Sequence, residues 1–185
     1  MPKVYIISDC HFGHFNIINL ADRPFKDISG MAEAIIRNWN EAVLSEDIVY
    51  FLGDFAMGRH GLESDTEIFN RLNGHKKMIL GNHDRHFNAY QGDSKVFKIK
   101  GNDLAIDYWR TVGFEEVFAQ PIVLDNYFIL SHEPINGLMK GQIFANIHGH
   151  THNVSMTGGN YFNASVEVNN YRPVDFEYIK ESFIK

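Results

Sequence analysis

Asp9-Cys10-His11, Gly53-Asp54, Gly81-Asn82-His83-Asp84, Ser131-His132 and Gly149-His150-Thr151-His152 each place cation-binding side chains at the tip of an apolar run. Carboxylate and amide oxygens mixed with imidazoles, and no second cysteine beside Cys10 to make a thiolate site, suit a pair of borderline divalent cations. In extended chain, alternation puts Asp9 and His11 on one face, and His150 and His152 on another, so that each pair can reach metal. Asp54 carries enough lone pairs to serve two metals, and Asn82 can offer its side-chain carbonyl oxygen. Gly53 and Gly149 allow the backbone to approach closely. Taken singly, such fragments are ordinary turn carboxylates and core histidines. Their coherence as a set argues for a site.

The elements that must position these residues can be read from the apolar pattern. Lys3 to Ser8, Asp47 to Leu52 and Lys77 to Leu80 are short strand-like runs, each ending at a motif. Met31 to Leu44 has helical spacing, and Ser64-x-x-Glu67 has the form of a capping box opening a helix to Leu72. Strands alternating with helices predict βαβ units and a parallel sheet. Beyond residue 113 the strand candidates crowd together: Phe114 to Phe118, Ile122 to Leu124, Tyr127 to Leu130, Ile143 to Ile147 and Tyr161 to Val168. Turns are expected at Asn126 and Gly158-Gly159, and a closing helix from Val174 to Ile184. His86 to Gly101 has no decisive period. Ligands of open α/β sheets gather beyond the carboxyl ends of strands, which is where Asp9, Asp54, Asn82 and His132 fall.

A chain of 185 residues is expected to form one domain, residues 1–185, with a substantial core. Its 44% apolar and 14% aromatic content argues against disorder. The start, Met-Pro-Lys before Val4-Tyr5-Ile6-Ile7, is interrupted too early by Asp9 for a signal peptide, and no run approaches the roughly 20 residues of a membrane span. A single cysteine excludes an internal disulfide; the expected location is cytoplasmic, with no membrane partner. The net charge of −6 disfavours an extended nucleic-acid surface, whereas bound dications would still attract a compact phosphate.

In order, D-x-H, G-D, G-N-H-D, a lone His and G-H-x-H, the motifs resemble the calcineurin-like metallophosphoesterases over most of the chain. The resemblance implies a four-layer α/β/β/α sandwich of two mixed sheets flanked by helices. It assigns Asp9, His11 and His152 to one metal, Asn82, His132 and His150 to another, and Asp54 to both. Manganese is the first expectation, with iron, nickel and zinc as alternatives. Hydroxide held between the metals would attack phosphorus in line, with His83 as general acid and Asp84 holding His83 in its tautomer. A small phosphate ester, a diester before a monoester, is the implied substrate. A nuclease and a non-catalytic binding module of the same fold are the alternatives, and oligomeric state is not fixed. The words His14-Phe15-Asn16-Ile17-Ile18 and Arg23-Pro24-Phe25 resemble a small bacterial and phage subgroup, and Asn16 and Arg23 are candidate phosphate contacts. Arg85 is a similar but lesser candidate. His148 is expected behind the ligands, His60, His75 and His86 in solvated or structural roles, and Cys10 in the core.

Overall fold

The computed structural model describes residues 1–57, 61–91, 94–138, 144–157 and 159–183. The chain runs through β1 (Val4–Ile7), α1 (Ile17–Leu20), α2 (Ile28–Ala42), β2 (Ile48–Phe51), α3 (Leu62–Asn70) and β3 (His75–Ile79). It continues through β4 (His86–Gln91), β5 (Ser94–Lys100), α4 (Asn102–Val112), β6 (Glu116–Phe118), β7 (Ile122–Leu124) and β8 (Phe128–Leu130). Last come β9 (Ala145–His148), β10 (Tyr161–Asn163), a 3-10 turn (Val166–Val168), β11 (Val174–Asp175) and α5 (Phe176–Phe183).

One sheet has the order β11-β1-β2-β3-β6 and is parallel except for β11; the other, β10-β9-β8-β7, is parallel except for β7. The strands β4 and β5 form a separate antiparallel ribbon, which accounts for the segment without a decisive period. Because strand side chains alternate, Tyr5 and Ile7, Val49 and Phe51, and Met78 and Leu80 face a core shared with α2 and α4. Ile6, Leu52 and Ile79 point the other way, onto Leu130 and Ile147 of the second sheet. The central strands are therefore apolar on both faces, as a covered parallel sheet requires. The helix α5 closes the inter-sheet core, with Phe176 edge-on to Phe128 at 5.1 Å and Phe183 tilted against it at 5.7 Å.

Helix α2 begins three residues before Met31, because Asp27 caps it: its Oδ1 accepts from Gly30 N–H at 2.7 Å. It buries Met31, Ile35, Ile36 and Trp39 on one stripe. In α3 the cap is Gly61, not Ser64; Ser64 sits in the first turn and its hydroxyl accepts from Gly61 N–H at 3.2 Å. The strand candidate Phe114–Phe118 is shortened to β6, and α4 before it buries Ala105, Tyr108, Trp109 and Val112. Asp125 and Asn126 both adopt positive φ (53° and 55°) in the three-residue turn, completed by Tyr127, that joins β7 to β8. The run Tyr161 to Val168 is strand only to Asn163 and then a 3-10 turn. His60, Ile143, Gly158 and Ile184 lie outside the described residues. Among the described residues no helix is long and apolar enough to cross a membrane.

Candidate metal centre

Five strand ends meet at one edge of the sandwich: Asp9 follows β1, Asp54 follows β2, Asn82 follows β3, His132 follows β8, and His150 and His152 follow β9. The two sheets are joined there. Ser8 bridges in parallel to Ser165, its N–H donates to Ala164 O at 3.0 Å, and its hydroxyl donates to Leu52 O at 2.9 Å. A Cβ on Gly149 would collide with the Ser8 hydroxyl and the Asp9 carboxylate, so only glycine lets this loop approach.

The expected strand alternation is not what presents the ligands. Asp9, His11, Asp54, His150 and His152 have φ of 61°, 50°, 59°, 66° and 50°, in the left-handed region that L residues avoid. The strands have ended before these residues, and each side chain is aimed by a backbone twist costing about 1–3 kcal/mol. Strain of this kind, at residues that share one cleft, is a mark of a functional site.

Two clusters result. In the first, ligand atoms of Asp9, His11 and His152 lie within 4.8 Å of one another. His11 is buried, and neither ring nitrogen has a hydrogen-bond partner. Burial, with Arg23 and neighbouring histidines, holds its pKa well below the usual value, so the ring is neutral and can offer a lone pair. In the second, Asn82 Oδ1 stands 2.9 Å from His132 Nε2 and 3.1 Å from His150 Nδ1, and the two nitrogens are 3.2 Å apart. Donors at metal distance from one cation stand roughly 3.0–3.5 Å apart, so this triangle already has the right size. His132 Nδ1 donates to Leu52 O at 2.8 Å, which turns Nε2 toward Asn82 Oδ1, where it can serve as a metal ligand. Lone pairs converging on one point need a cation.

Asp54 stands between the clusters. Its Oδ2 is 3.5 Å from His11 Nε2 and 3.5 Å from His132 Nε2, while Oδ1 accepts the His83 N–H at 3.0 Å. Burial and the charge of Asp9 push its pKa up to about 7, so the two carboxylates together lack a counter-charge. The residues present fit divalent metal: a buried, neutral His11 whose ring nitrogens have no other partner, and two buried carboxylates, Asp9 and Asp54, beside imidazoles from both clusters.

Other residues fall differently from expectation. The carboxylate of Asp84 is fully buried and does not reach the His83 ring. It accepts the N–H groups of Gly81 and Asp54, both at 2.7 Å, and of Phe55 at 3.2 Å, tying the Gly53 and Gly81 loops together. Burial and Asp54 raise its pKa to about 7, while the N–H donors of Gly81 and Asp54 oppose that rise. His83 is half-buried at the mouth, with Nε2 4.0 Å from Asp54 Oδ2 and its ring 5.4 Å from that of His11. Burial, then His132 and His150, lower its pKa. His14, half-buried and 5.4 Å from the His11 ring, shares this wall and has an unpartnered Nδ1.

Arg23 does not face the cleft. It is buried behind the first cluster, donating to Asp9 O (2.7 Å), Cys10 O (3.0 Å) and Glu167 Oε1 (2.6 and 3.0 Å), so a phosphate contact is replaced by internal bonds. Asn16 is exposed at the start of α1 and makes no capping bond with its side chain. Arg85 donates to Leu80 O (3.0 Å) and Ala119 O (2.9 Å) and lines a crevice of about 240 Å³ beside His132. His148 is buried, with Nδ1 2.9 Å from Gly149 O, and Cys10 is buried and free. Glu167 was not foreseen. Its Oε1 accepts from His152 Nδ1 at 2.7 Å. Desolvation lowers the His152 pKa and Glu167 raises it, with a net rise. In sequence Glu167 is one acid in an apolar run, without a motif.

Comparison with known proteins shows the family and relatives of the chain. The family model for calcineurin-like phosphoesterases matches residues 2–181. An uncharacterized protein of Methanocaldococcus jannaschii is 33% identical, covering 97% of this chain and 90% of the relative. The gene 66 protein of Mycobacterium phage D29 is 30% identical over 82% of this chain and 79% of its own length. A crystal structure of a protein of unknown function from Aquifex aeolicus superposes with a TM-score of 0.68 and 25% identity, covering 98% of this chain and 99% of that one.

Proposed function

The chain belongs to the calcineurin-like phosphoesterase family, and on that footing we propose that it hydrolyses small phosphate esters, diesters ahead of monoesters, using two divalent cations. Asp9, His11 and His152 would hold one cation, Asn82, His132 and His150 the other, and Asp54 both. The observation that carries this reading is the position of Asp54 Oδ2, 3.5 Å from a ring nitrogen of each cluster. A carboxylate lying between two ligand sets would suit a residue that serves two cations. Manganese is the first choice for such oxygen and imidazole donors, with iron, nickel or zinc as substitutes. When bound, such cations acidify water and neutralise charge on phosphoryl oxygens.

The protein's own groups define the remaining roles. Buried Asp9, His11 and Asp54 keep one wall of the site dry and fixed. His83, half exposed and facing the same space, would give a proton to a departing alkoxide, and His14 beside it would contact the ester oxygens. Asp84 serves His83 only indirectly, by fixing the loops that carry it. Diesters of poor leaving groups gain most from such a proton, which supports the diester preference. A lone buried cysteine fits a cytoplasmic setting.

The test is to strip the full chain with chelator and assay an aryl phosphodiester, an aryl monoester and cyclic nucleotides. Activity should vanish and return with Mn²⁺, with the diester hydrolysed faster than the monoester. No hydrolysis of any ester with Mn²⁺, Fe²⁺, Ni²⁺ or Zn²⁺ would turn the reading to a binding module.

A further inference from the structure

Arg23 and Glu167 form a buried unit that bonds to Asp9 and His152 of the first cluster and to the Cys10 carbonyl beside His11, with no hydrogen bond to the second cluster. Arg23 Nη2 donates to the carbonyl of Asp9 and Nη1 to that of Cys10, clasping the left-handed segment that aims Asp9 and His11. Its Nε and Nη2 also reach Glu167 Oε1, at 3.0 and 2.6 Å, and the same oxygen takes His152 Nδ1 at 2.7 Å. Both side chains are almost fully shielded, at 0% and 3% exposure.

An ordinary buried Arg–Glu pair is the competing explanation, and its geometry would differ. Such pairs favour two parallel bonds, one to each carboxylate oxygen. Here both guanidinium nitrogens and the imidazole converge on Oε1, while Oε2 is buried without a partner. Leaving Oε2 bare costs stability, and buried ion pairs are poor stabilisers in any case. The arrangement gives up stabilisation to concentrate acceptor strength where His152 needs it. With Nδ1–H fixed on Glu167, the lone pair of His152 must be on Nε2. Carboxylates behind metal-binding imidazoles act in this way: they set the tautomer, fix the ring and raise its basicity.

We infer that Arg23 and Glu167 are the positioning residues of the Asp9–His11–His152 cluster, with Glu167 orienting His152 and Arg23 clamping Glu167 to the Asp9–His11 segment. This rests on the metal reading above. Neither residue meets substrate; they act on affinity and geometry at one of two cation positions.

Isothermal titration of metal-stripped full-length protein with Mn²⁺ tests it, with apo-protein melting measured alongside. Glu167→Gln keeps the shape and removes the charge; it should weaken Mn²⁺ binding at the first cluster about 10–100-fold, the usual cost of losing such a partner. Binding lost in Asn82→Ala, which marks the second cluster, should be unaffected by Glu167→Gln. Arg23→Lys keeps the charge but not the fork, and should shift affinity in the same direction. It also serves if Glu167→Gln does not fold. Variants that melt lower yet bind Mn²⁺ as tightly per folded chain would make the unit merely structural and overturn the inference. A wild-type chain that takes up neither Mn²⁺ nor Zn²⁺ would instead bring down the metal reading, and this inference with it.

Discussion

The two ligand clusters each join two histidines to one oxygen ligand, but they are built differently. Asp9, His11 and His152 are brought together from left-handed backbone, with Asp9 and His11 buried and His152 held from behind by a carboxylate. Asn82, His132 and His150 include no carboxylate and stand 2.9–3.2 Å apart, and His132 is oriented by a backbone carbonyl, Leu52 O. The first cluster relies on a carboxylate and on left-handed backbone at all three residues, where the second has it only at His150. The second relies on pre-set spacing of neutral donors. Asp54 belongs to both, so the two constructions can be separated only by substitutions that spare it.

The largest effect should come from losing that shared member. Asp54→Ala should remove tight Mn²⁺ uptake at both clusters and lower phosphodiester hydrolysis more than about 10²-fold, beyond what an indirect partner costs. Measured stoichiometry should fall at both positions; loss at only one would break the symmetry assigned to Asp54. Next, His83→Ala should leave both cations bound and slow an alkoxide-releasing diester by about 10²–10⁴, the span of general acid catalysis, while a nitrophenyl ester loses little. Equal losses on the two esters would assign His83 to the phosphoryl oxygens.

Stability offers an intermediate effect. Asp84→Ala leaves the N–H groups of Gly81, Asp54 and Phe55 without their acceptor, at about 1–3 kcal/mol for each buried orphan. A melting temperature lower by roughly 6–12 °C follows for about 3 kcal/mol in a domain of this size. The smallest effect is on pH. The carboxyl of Asp54 is raised to about 7 in the folded, metal-free chain, so protons compete with metal below that value. Mn²⁺ affinity should therefore rise between pH 6 and 8 and flatten above. In the metal-free chain the same raised pKa contributes stability that is full below the unfolded value, 3.8, and is lost as pH rises through 7. The depressed histidines His11 and His83 act in the opposite direction near their own pKa values.

Much of this was legible in the sequence because the motifs sit where apolar runs stop, and a strand tip can be found from its apolar run. The βαβ first half and the placement of ligands beyond strand ends were readable on those grounds. What was not readable was backbone geometry. Alternation put Asp9 beside His11 and His150 beside His152, yet positive φ at these residues presents them, and nothing in Asp, His or Thr announces a left-handed turn. Asp84 looked like a partner of the adjacent His83 because proximity in sequence was the only guide; its real partners are 30 residues away, at Asp54, or are N–H groups of its own loop. Arg23 and Glu167 are 144 residues apart, a pairing only the fold reveals. Helix α4 did leave a signal in the spacing of Ala105, Tyr108, Trp109 and Val112.

The central claim is that the two clusters share Asp54 and hold two divalent cations. Anomalous diffraction from a crystal soaked in Mn²⁺ tests it most directly. Two peaks are predicted, one among Asp9, His11 and His152 and one among Asn82, His132 and His150, each in contact with Asp54. A single peak, or peaks that leave Asp54 uncoordinated, would contradict the account.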